Sequence, residues 1–168
     1  MLKLSFISLL FISSLVNAEE TRHANAHVHG LNNLTMVLSQ NQIAITYEMP
    51  IIQLYEEHEE HEEHEELAIK NESLKAFENH LQLFEFPIGA ECELSSFKSE
   101  LHNVSTEGDH KDIELSYEFY CNEPNLLNGI QINAFNRFDD LQMVNFDAII
   151  NNQGFIKSFN PLESKITF

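Results

Sequence analysis

Asp112-Ile113-Glu114-Leu115-Ser116-Tyr117-Glu118-Phe119-Tyr120-Cys121 decides the kind of fold this chain adopts. Ile113, Leu115, Tyr117, Phe119 and Cys121 alternate with polar or half-polar residues across the whole stretch. A period of two is the mark of a strand with one face buried and one face wet. Cys121 ends the strand on the side predicted to be buried. The same pattern recurs outward in both directions. Upstream, Cys92, Leu94 and Phe97 begin a strand, and Ile43, Ile45, Tyr47 and Met49 alternate until Pro50 ends their run. A strand from His27 to Leu38, carrying Leu34, Met36 and Leu38, precedes it. Ser39-Gln40-Asn41-Gln42 between these two reads as a hairpin turn. Downstream, Ile130, Ile132 and Ala134 alternate, then Val144, Phe146, Ala148 and Ile150. Asn151-Asn152-Gln153-Gly154 is a turn, and residues 155–159 form one more strand.

One segment departs from this rhythm. Asn71-Glu72-Ser73 can cap a helix, and Leu74, Phe77, Leu81 and Phe84 follow at helical spacing before Pro87-Ile88-Gly89. The expectation is therefore an α+β single domain. It is mostly antiparallel β-sheet, with an inserted helix and an acidic His-rich loop.

The first residues read as an export signal. Lys3 is a short basic start, Leu4 to Val16 is apolar apart from serines, and Val16-Asn17-Ala18 suits a signal peptidase. The apolar run is too short to span a bilayer securely. Cleavage after Ala18 is expected to leave residues 19–168 as the domain, in the periplasm, with no stable membrane anchor. Losing Lys3 makes the mature chain one unit more negative than the −18 of the full sequence. Such a charge repels nucleic acid and anionic lipid and attracts cations. The chain has two cysteines, Cys92 and Cys121. Export favours one disulfide between them over a pair of thiolate metal ligands.

Two histidine features carry the chemistry. Glu56 to Glu66 reads EEHEEHEEHEE and sets His58, His61 and His64 three residues apart among carboxylates. Imidazole suits zinc, copper and nickel, and residues three apart on a helix are neighbours that can chelate one ion. The bland alternative is a solvated acidic loop. The second feature is His27-Val28-His29, followed by Gly30. In a strand, residues two apart point to the same side, about 7 Å apart at the backbone. That would make a two-ligand platform, with a third ligand drawn from His110 or from the tract. His23, His80 and His102 carry no pattern. Nucleophile elbow, phosphate loop and HExxH helix are all missing, so a non-catalytic protein is expected.

Four stretches together resemble a known family: AHVHGLNNLTMVL from Ala26, YEMPIIQLYEEH from Tyr47, FEFPIGAECEL from Phe84 and HKDIELSYEFYC from His110. In order and spacing they are similar to the ZrgA-type periplasmic zinc-uptake proteins, over nearly the whole mature chain. The resemblance implies Zn2+ binding in support of an ABC-type zinc importer, by way of its periplasmic binding protein. It implies an ordered site at His27 and His29, with His58, His61 and His64 as a histidine-bearing insertion. Assigning His110 to the same ion is an inference from strand pairing. The insertion here is short and rich in glutamate, where family members carry long histidine and aspartate runs. Two other functions fit the residues: a copper or nickel buffer or resistance protein, and an exported pH-responsive interaction module.

Overall fold

The computed structural model describes residues 30–54, 74–103 and 111–168. Asp112 to Cys121 lies within a strand, as its alternation requires. This is β5 (Lys111–Cys121), whose residues Ile113, Leu115, Tyr117, Phe119 and Cys121 are all buried. Before it come β1 (Leu31–Ser39), β2 (Gln42–Pro50), β3 (Phe84–Glu85) and β4 (Cys92–Asn103). After it come β6 (Gly129–Ile132), β7 (Met143–Ile150), β8 (Gln153–Phe159) and β9 (Lys165–Thr167). Six strands form one sheet in the order β4-β5-β2-β1-β7-β8, and β3-β6-β9 form a smaller one. All pairings are antiparallel except β1 with β7, which is parallel.

The large sheet has a dry face and a wet face. Leu34, Met36, Ile43, Ile45, Tyr47, Leu115, Tyr117, Phe119, Val144 and Phe146 are almost wholly removed from water on the dry one. Alternating neighbours such as Thr35, Ala44, Glu48 and Asp147 face solvent. The small sheet and the loops around it cover the dry face. Phe84 of β3 meets the rings of Tyr117 and Phe119 edge-on, at 5.3 and 6.1 Å. The Tyr117 hydroxyl donates a 2.8 Å bond to the Phe77 carbonyl. Two layers thus share one core, a mostly β domain with little helix.

The inserted helix is the main correction. Residues 74–76 are helical, but the backbone bonds that follow run from Phe77, Glu78 and Asn79 back three residues. A separate 3-10 turn, His80–Gln82, comes next, and Phe84 is already in β3, paired with Ile132. A helix would have aligned Leu74, Phe77, Leu81 and Phe84 on one face. Instead Leu81 is 52% exposed and Leu83 is fully buried. The backbone of Phe84 gains more by pairing with β6, and its ring by packing on Tyr117, than local helical spacing can offer. Two further strand readings are trimmed. Ala134 opens a 3-10 turn (Ala134–Asn136) rather than extending β6, and β1 starts at Leu31 because Gly30 is a turn with φ +79°.

Both tight hairpins use the backbone conformation that turns demand. Gln40 has φ 58°, and Asn151 and Asn152 have φ 50° and 67°. Asparagine tolerates this region better than most residues.

Candidate functional site

Register fixes which ends of the strands share a side of the molecule. Asn33 pairs with Glu48, Pro50 with Asp112, Asn103 with Lys111, and Leu31 with Met143. The start of β1, the end of β2, the end of β4, and the starts of β5 and β7 therefore gather at one end of the large sheet. The opposite end holds the hairpin turns after Ser39 and Ile150, and the Cys92–Cys121 pair.

This polarity bears directly on the candidate ligands. His27, His29, His58, His61, His64 and His110 lie outside the described residues, but the described residues that border them do not. Gly30, which follows His29, leads into β1. Residues 51–54 carry the chain from β2 toward His58. Lys111, which follows His110, opens β5. All three points stand at the same end of the sheet. β2 separates β5 from β1, so their backbones stand about 10 Å apart, two strand spacings. His102, which showed no pattern in sequence, is opposite Asp112 in the backbone register at this end.

The start of β1 is firmly held. Asn32 is fully buried, and its side-chain amide donates a 2.8 Å bond to the Tyr47 hydroxyl. Burial pushes the Tyr47 hydroxyl well above the usual tyrosine pKa, and the Asn32 bond opposes this in part. The Gly30 carbonyl accepts the backbone N–H groups of Gln142 and Met143, at 2.8 and 2.9 Å. Acidic residues border this end. Glu48 stands opposite Glu114, which stands opposite Glu100, on three adjacent strands. Asp139 and Asp140 are exposed in the loop before β7. Among the described residues, no three His, Cys, Asp or Glu side chains are grouped to hold a metal ion.

Cys92 and Cys121 are joined in a disulfide, with a separation of 29 residues. This excludes them as thiolate ligands, as export predicted. A cavity of about 390 Å³ near the same far end is lined by Gln40, Asn41, Pro124, Asn125 and Asn151. It offers no imidazole, carboxylate or thiol. His80 is half-buried, its ring 4.7 Å from that of Phe119 in an edge-on contact. Burial holds its pKa below the ordinary value.

The family model for ZrgA family zinc uptake proteins matches residues 26–168. The chain belongs to the ZrgA family. The match begins one residue before His27, so it takes in the HxHG motif, the whole described fold and every histidine named as a candidate ligand. No curated protein matches the chain. ZrgA membership fits the disulfide, which belongs to an oxidising compartment. Among the described residues, no helix of this ZrgA-family chain is long and apolar enough to cross a membrane.

Proposed function

We propose that this is a non-catalytic periplasmic zinc-binding protein that captures Zn2+ and passes it to an ABC-type importer. The observation that carries the reading is the convergence of Gly30, residues 51–54 and Lys111 at one end of the sheet, in a member of a zinc uptake family. Chain segments bearing His27 and His29, the 56–66 tract, and His110 all join the fold there. A histidine pair next to a rigid strand and a separate histidine-rich tract suit two tasks. His27 and His29 hold a defined ion, and His58, His61 and His64 gather ions more weakly from solution. The acidic surroundings raise the local cation concentration. Weak multi-ligand binding suits transfer, because release must not be slow.

A competitive zinc titration of the mature protein at pH 7 tests this. His27→Ala/His29→Ala should remove the tightest site, and His58→Ala/His61→Ala/His64→Ala only the weaker ones. A mature protein that binds no zinc at micromolar concentration would sink the reading. Growth separates acquisition from detoxification: loss of the protein should impair growth under chelation, not under excess metal.

A further inference from the structure

The two edges of the large sheet are built differently. At one edge, β4 carries Glu93, Lys98 and Glu100 and breaks register between Leu94 and Ser96. Charges and a bulge are common means by which an edge strand discourages pairing. At the other edge, β8 reads QGFIKSF and has no bulge. Its register with β7 runs unbroken from Ile150↔Gln153 to Val144↔Phe159. It contains no proline and no acidic residue, in a chain with 27 Asp and Glu. Its one charge, Lys157, is paired with Glu163 of the same chain at 2.6 Å. Ile156, at the centre of the strand, is 88% exposed. It shares the wet face with Val37 and Ile149, which are exposed and opposite each other in β1 and β7. Among the described residues, no strand lies against the outer side of β8.

We propose that β8 pairs antiparallel with β8 of a second copy of this chain, joining two six-stranded sheets into one of twelve. The charge distribution selects this occupant. Two chains of formal charge −18 repel wherever their acidic surfaces meet. Of the two edges of the large sheet, β8 is the one that brings no carboxylate of its own to the contact. Asp147 lies one strand inward, opposite Ile156. Across the joined seam the two copies of Asp147 would stand three strand spacings apart, about 14 Å. That exceeds the Debye length of about 8 Å at physiological salt. Symmetry sets the register. A twofold axis normal to the sheet passes through one residue, and full overlap of the strand makes that residue Ile156. Gly154 then faces Ser158, Phe155 faces Lys157, and the two Ile156 side chains meet on the wet face. The paired strands run in opposite directions, so the Gly30 ends of the two copies lie at opposite ends of the joined sheet. A seam of 7 residues a side is well below the roughly 20–30 of a standard interface, so the dimer is weak and concentration-dependent.

The test is sedimentation of the full mature chain at concentrations up to about 1 mM, in about 0.05 and 0.5 M NaCl. A dimer should form with a dissociation constant in the tens to hundreds of micromolar, and salt should tighten it several-fold by screening the repulsion. Ile156→Lys should stay monomeric throughout. The melting temperature of the dilute protein should not change, because this side chain is exposed. Cross-linking reads the register. The two native cysteines are joined to each other, so an added thiol has no competitor within the chain. Ile156→Cys should give a disulfide-linked dimer on treatment with diamide, since directly opposed residues stand about 4.5–5.5 Å apart. Ser158→Cys, about 14 Å from its own copy in this register, should not. A parent chain that is monomeric at about 1 mM in high salt overturns the proposal. So does a dimer that survives Ile156→Lys, or equal cross-linking of the two cysteine variants.

Discussion

At the residue scale, Gly30, Tyr47 and His80 each convert a local contact into a measurable quantity. Gly30→Ala combines a left-handed backbone with a Cβ that would meet a carbonyl oxygen. It should cost about 1–3 kcal/mol of stability in urea titration. Tyr47→Phe leaves the buried Asn32 amide without its acceptor and should cost about 1–3 kcal/mol. Tyr47 and Tyr117 also set the alkaline limit. Burial raises both above the ordinary value of 10.0, and Tyr117 is raised further by Tyr47. The unfolded chain loses these protons first, so stability should fall as pH rises past 10. A tyrosinate absorbance titration should show both residues ionising only as the protein unfolds. His80 acts at the other limit. Its pKa is lowered from 6.5 by burial. The unfolded chain therefore takes up the proton first, and stability declines as pH drops below 6.5. His80→Phe should flatten that decline, as judged by urea midpoints at pH 7 and pH 5.

At the scale of elements, the strands were legible and the helix was not, for one physical reason. Alternation in β1, β2, β5 and β7 reflects a sheet with one face in the core, so each residue reports its own environment. Residues 74–86 answer to a partner far away in sequence. Leu83 lends its carbonyl to Asn133 and Ala134, and Phe84 pairs with Ile132. Nothing local announces either contact. β3 and β9 were missed because strands of two and three residues are too short to show a period. The β4–β5 hairpin supports a prediction of its own. Its disulfide closes a loop of 29 residues, worth about 3–4 kcal/mol in the loop-entropy model. Cys92→Ser/Cys121→Ser should lower stability by that order. The bridge stands at the end of the sheet away from Gly30, so zinc stoichiometry measured below the melting transition should not change.

At the scale of the whole molecule, the pairing of β1 with β7 governs the order of assembly. Leu31 finds Met143 and Leu38 finds Ile150, so a strand near the start of the domain is completed by one near its end. Contacts of such long range are slow to form, because the intervening chain must be closed first. The chain is made from its amino terminus, so β1 and β2 are complete long before β7 is available. The segment that steadies Gly30 comes late. A chain cut short before Met143 therefore lacks the strand that pairs with the outer edge of β1. Truncated chains are thereby left with an open strand edge, a ready template for aggregation.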